Sequence, residues 1–74
     1  AVDGGTKSKI NNMSIKQLEA ALNKNMQNAQ DYLKAAKESF DQQDNKTALN
    51  KLDYALDYQQ IVNYIEKRLS EVQQ

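Results

Sequence analysis

Residues 47–72 read TALNKLDYALDYQQIVNYIEKRLSEV, and their apolar residues recur with the period of an α-helix. One line along this helix consists of residues spaced seven apart, namely Ala48, Ala55, Val62 and Leu69. Neither Pro nor Gly interrupts the stretch, and apolar and polar residues do not alternate as they would in a strand. The stretch is therefore predicted to form one long helix.

The apolar stripe of this helix is wider than a single neighbouring helix would cover. Near its start the stripe includes Leu49, Leu52 and Leu56. Further along it shifts to the other side and includes Tyr54, Tyr58, Ile61 and Ile65. A helix in a plain two-helix hairpin needs only one narrow apolar stripe. The width predicts a second neighbour, which is another copy of the chain, a third element or a partner protein.

A first long helix is predicted from about Ile15 to about Asp41. Ser14 is a good N-cap, and Gln17 three residues later completes a capping box. Met13, just before the cap, can pack on Leu18 as a hydrophobic staple. The start of this helix is therefore well defined by the sequence.

A short turn, QQDN at residues 42–45, joins the two helices, with Asp44 or Asn45 as the cap of the second. So short a link makes the helices antiparallel neighbours. The expected fold class is all-α, an antiparallel hairpin of two long helices, each on the order of 40 Å long.

Facing pairs differ between the two ends of this hairpin. Near the turn, large residues oppose small ones, as Phe40 does Ala48, so the helices can approach closely. At the open end, large residues oppose large ones, as Leu18 does Leu69. The missing neighbour is therefore expected at the open end.

Residues 1–12, AVDGGTKSKINN, contain both glycines and few apolar groups. Such a segment buries too little surface to offset the entropy lost on ordering. A flexible tail over 1–12 and a helical domain over 13–74 are expected. The tail is either a processed native terminus or a remnant of the expression vector, and the position of Met13, which would be a natural start, favours the remnant.

The composition argues against catalysis and against cofactor or metal binding. The chain of 74 residues has no cysteine and no histidine, which removes a cysteine nucleophile, thiolate metal ligands and the commonest general base and metal ligand. Asp53 and Asp57 lie one turn apart but are expected to face water, where they merely repel each other weakly. Ten basic residues balance ten acidic ones, so nucleic acid is not an expected partner, and no apolar run is long enough to span a membrane.

The second helix carries the candidate partner-binding residues. Tyrosine is enriched at interface hot spots, and apolar residues of the wide stripe lie beside the tyrosines. The predicted set is Tyr54, Tyr58, Ile61, Tyr64, Ile65 and Leu69.

Two stretches, SIKQLEAALNKNMQNAQDYLKAAKESF (14–40) and QQIVNYIEKRL (59–69), resemble the small co-chaperones of type III secretion needle subunits. The opening match is Leu18, Glu19 and Leu22, and the closing match is Ile61, Val62, Ile65 and Arg68. The resemblance implies a short helical hairpin in the bacterial cytoplasm that pairs with a larger tetratricopeptide-type chaperone. Together the two keep the needle subunit from polymerising.

The expected function is thus a non-enzymatic protein-binding module, a secretion co-chaperone that binds a heterologous helical chaperone or export subunit. Two alternatives stay open at this point. One is a self-assembling hairpin, as a four-helix homodimer or a filament subunit. The other is a small helical regulator of a signalling enzyme.

Overall fold

The computed structural model describes residues 1–73, and its regular elements are three helices. They are α1 (Gly4–Asn11), α2 (Ile15–Asp41) and α3 (Asn45–Val72). The two long helices pack against each other along an elongated body of 46 × 21 × 15 Å. The all-α hairpin predicted from the sequence is confirmed. No helix within residues 1–73 has both the length and the apolar character that crossing a bilayer requires.

The start of α2 is fixed by the capping box that the sequence predicts. The backbone N–H of Gln17 donates to Ser14 Oγ at 3.2 Å, and the Ser14 N–H donates to Gln17 Oε1 at 2.9 Å. Met13 is half-buried against the cluster that contains Leu18. Two of the four free N–H groups near this helix end thereby find partners inside the chain.

The turn between α2 and α3 depends on a residue in the left-handed region. Gln43 has φ 63° and donates its N–H to the carbonyl of Phe40 at 2.9 Å. The Asp44 N–H donates to the carbonyl of Ser39, also at 2.9 Å. These two bonds form a Schellman motif, which usually has glycine at the left-handed position. Asp44 then caps α3 by accepting from the Thr47 N–H at 3.2 Å.

Small residues form the seam between the long helices over most of its length. The buried seam residues are Ala29, Ala36, Ala48, Ala55 and Val62. Alanine lets the helix backbones approach closely, but it fills little volume. The larger apolar side chains beside the turn therefore lie outside the seam.

The short N-terminal helix α1 lies where the sequence predicts a flexible tail. Asp3 caps it by accepting from the Thr6 N–H at 2.7 Å. Ile10 is only 3 % exposed and packs into a cluster with buried residues of both long helices. The members of that cluster are Ile10, Leu18, Ile65 and Leu69. The expectation of a disordered segment over 1–12 therefore differs from the structure, in which Gly4–Asn11 is helical.

The physical reason is that the long helices already present a surface on which α1 docks. An isolated eight-residue helix with two glycines is unstable in water. Docking adds the burial of Ile10, which contributes about 1.5–3 kcal/mol, and the contacts of Asn11 with Tyr64 and Arg68 to the hydrogen bonds within α1. α1 is thus the third element that the wide stripe of α3 requires at the open end.

Candidate protein-interaction surfaces

The predicted partner-binding residues nearest the open end pack within the chain. Ile65 is fully buried and Leu69 is 9 % exposed, both in the cluster formed with Ile10. Ile61 and Tyr64 are half-buried against the same cluster. A partner could contact Ile65 and Leu69 only if α1 left, whereas Ile61 and Tyr64 keep part of their surface exposed.

Tyr54 and Tyr58 form an aromatic stack with Tyr32 on the side of the hairpin next to α1. The ring centroids of Tyr32 and Tyr54 are 5.1 Å apart, and those of Tyr32 and Tyr58 are 5.7 Å apart. Lys51 Nζ lies 5.5 Å from the centroid of Tyr32, within the range of a cation–π interaction. These contacts tie α2 to α3, and partner binding by the six predicted residues stays a prediction.

Two polar side chains of α3 hold the end of α1. The Tyr64 hydroxyl donates to Asn11 Oδ1 at 2.9 Å, and Arg68 Nη2 donates to the Asn11 carbonyl at 3.3 Å. A guanidinium at this position complements the negative end of the α1 dipole. Arg68 itself is half-buried.

The large apolar surface that stays uncovered lies at the other end, beside the turn. Leu33 and Phe40 of α2 and Leu49 and Leu52 of α3 line an open groove of about 540 Å³. Ala36 and Ala48 also line it, and both are buried. Leu56 extends this surface one turn along α3, because it follows Leu52 by four residues. We call this surface the turn-half face and define it by Leu33, Phe40, Leu49, Leu52 and Leu56.

The members of the turn-half face are between 44 % and 64 % exposed, with Phe40 the most exposed. The sequence places the missing neighbour at the open end, whereas the structure fills that end with α1 and leaves this face bare. The signal was present in the sequence. Leu49, Leu52 and Leu56 lean to one side of α3, and the alanines opposite cannot absorb them into the seam.

Within residues 1–73 no group of three or more carboxylates, histidines or cysteines stands close enough to hold a metal ion. Asp53 and Asp57 are both exposed, as their spacing on the helix predicts. The candidate site on the described residues is the apolar turn-half face.

Comparisons with protein families, with characterised proteins and with solved structures returned no match to this chain.

Proposed function

We propose that this chain is a non-catalytic protein-binding module that contacts its partner through the turn-half face. The observation that carries the proposal is the groove itself, an apolar trough between two helices with an alanine floor and leucine and phenylalanine walls. Small proteins rarely leave such a patch bare unless it contacts another molecule. A groove of this shape suits an amphipathic helix, whose apolar side chains would lie between the two walls.

The resemblance to secretion co-chaperones gives this proposal a narrower form. In that form the chain acts in the bacterial cytoplasm and binds a tetratricopeptide-type chaperone or an export subunit. Two long antiparallel helices with one uncovered apolar face support it, since such a face can lie against helices of a partner. The narrower form predicts that the chain, mixed with a needle subunit and its chaperone, forms a stable complex, and that Leu49→Asp prevents this. If the parent chain formed no complex with the needle subunit and its chaperone, the narrower form would be refuted but the broader proposal would not.

The broader proposal is tested by photo-crosslinking in the cells that make the protein. A benzophenone amino acid replaces Leu49 on the turn-half face or, as a control, Lys24, an exposed residue of α2 outside the groove. The proposal predicts a discrete crosslinked product from position 49 and none from position 24. Equal yields from the two positions, or no product from position 49, would refute it.

A further inference from the structure

The size of the turn-half face is close to what a second copy of the same chain needs. At about 200 Å² for a fully exposed large side chain, its five members leave on the order of 500 Å² of apolar surface. That is about a tenth of the 5431 Å² surface of the chain, the usual share for one partner in a small-protein interface. Two such faces together bury on the order of 1,000 Å², the lower limit for a specific association.

The level of a residue, meaning its height along the long axis of the hairpin, decides which residues meet when two such faces pack together. Tyr32 stacks on both Tyr54 and Tyr58, so position 32 lies level with position 56. Because the helices are antiparallel, each step forward on α2 corresponds to a step backward on α3. Two positions on the two helices are therefore level when their residue numbers add up to about 88. A two-fold axis parallel to the helices keeps these levels and sets α2 against α3 of the second copy. Leu33 then meets Leu56 of the second copy, and Phe40 meets Leu49.

Charges beside the turn-half face distinguish this arrangement from the opposite one. Lys37 lies beside the line of Leu33 on α2, and Asp41 follows it by one turn. Lys46 and Asp53 lie beside the line of Leu49 on α3, and all four charged residues are exposed. With the axis parallel to the helices, the levels of Lys37 and of Asp53 in the second copy differ by about 3 Å. The levels of Asp41 and of Lys46 in the second copy differ by about 1.5 Å.

A two-fold axis can also lie between the two faces at right angles to the helices, level with the centre of the face. This axis would bring like charges together. It sets α2 against α2, so that Lys34 and Lys37 approach the same lysines of the second copy. It also sets α3 against α3, so that Asp53 approaches its own equivalent. Like charges placed opposite one another disfavour such a dimer. The pattern of charge therefore favours the parallel axis.

We infer that the partner of the turn-half face is a second copy of this chain, in a four-helix dimer with the two turns at the same end. The inference rests on the proposed function, because it names the partner of the same surface. An isologous contact of this kind uses one patch on both copies.

Sedimentation equilibrium of the full chain from about 1 μM to about 1 mM tests the inference, with circular dichroism to follow helicity. The parent chain is expected to shift from monomer to dimer within this range. Leu49→Asp is expected to weaken association on the order of 100-fold while keeping helicity, because the new carboxylate would be buried between two copies. Lys24→Asp, which changes charge outside the face, is expected to change nothing.

A charge exchange tests the orientation without depending on any single variant. Lys37→Asp and Asp53→Lys each turn two symmetric attractions into repulsions, so each homodimer is expected to weaken roughly tenfold. An equal mixture of the two variants restores both attractions and is expected to form heterodimers with the parent affinity. Weak association that mixing does not restore would overturn the arrangement.

A chain that stays monomeric up to about 1 mM would overturn the second copy as partner. The crosslinking experiment then separates the two proposals. A product of position 49 with a different protein would leave the proposed function standing, whereas no product at all would refute both. A product of twice the chain mass agrees with the inference.

Discussion

Replacing Ile10 with alanine tests how α1 is held on the long helices. Ile10 is the one buried residue of α1, and its neighbours Leu18, Ile65 and Leu69 come from both other helices. Truncating a buried isoleucine to alanine costs about 2–5 kcal/mol. Because α1 lies at the edge of the molecule and can detach, we expect a loss at the low end of that range. About 2 kcal/mol corresponds to a roughly 30-fold larger population with α1 undocked.

Native-state hydrogen exchange measures this opening directly. The amides of residues 8–11 donate within α1, so their protection reports the docked helix. In Ile10→Ala their opening free energy is expected to fall by about 2 kcal/mol, while amides in the middle of α2 change less. Lys9→Ala, an exposed neighbour in the same helix, is the matched control and is expected to leave protection nearly unchanged.

Two results would contradict this reasoning. Equal exchange of amides 8–11 in the parent and in Ile10→Ala would mean that Ile10 does not hold α1. An equal loss of protection in α1 and at the centre of α2 would mean that α1 is not a separate docking unit, and that the three helices open together.

Three further predictions concern the helix ends. Gln43→Gly is expected to stabilise the chain by about 1 kcal/mol in urea unfolding, because glycine adopts the left-handed conformation without steric cost, and a loss of stability would refute the turn geometry. Ser14→Ala is expected to cost about 1 kcal/mol in the same assay, and Ser70→Ala, at an exposed site of α3, should cost much less; equal losses would count against the capping box. The hydrogen bond from the backbone N–H of Thr6 lowers the pKa of Asp3, so its contribution to α1 is full above the ordinary aspartate pKa and is lost as pH falls through the lower, folded-state pKa. Chemical shifts of α1 should therefore change below about pH 4, and Asp3→Asn should remove that part of the change; the same titration in both chains would refute the role of Asp3.

The two long helices could be predicted because several local signals agree with the fold. The seven-residue spacing of Ala48, Ala55 and Val62 defines the seam, and the capping box at Ser14 fixes the start of α2. These signals depend on residues close together in sequence. No glycine marks the end of α2 in the sequence, and in the structure Gln43 takes the left-handed position instead.

The helix α1 could not be predicted, because its stability depends on distant residues. Its own sequence has weak helix propensity and one large buried residue, Ile10. The surface that receives Ile10 exists only after Leu18 and Ile65 have come together from opposite ends of the chain. The polar contacts of Asn11 with Tyr64 and Arg68 likewise join residues more than 50 positions apart.

Which part of the wide stripe stays uncovered likewise depends on residues far apart in the sequence. The stripe of α3 widens in two directions, and sequence alone does not tell which side a third element covers. Once α1 covers Ile65, the side that carries Leu49 and Leu52 is the one left open. The need for a second neighbour was inferred correctly, but that neighbour at the open end is part of the same chain.

The open half of the hairpin carries the core cluster, and we propose that the turn half is a contact surface. Urea unfolding of Ile65→Ser and Leu49→Ser, two changes in the same helix, tests it at a concentration too low for association. The free energy of unfolding is expected to fall by at least about 3 kcal/mol in Ile65→Ser and by less than about 1 kcal/mol in Leu49→Ser. Equal losses, or a larger loss for Leu49→Ser, would contradict this expectation.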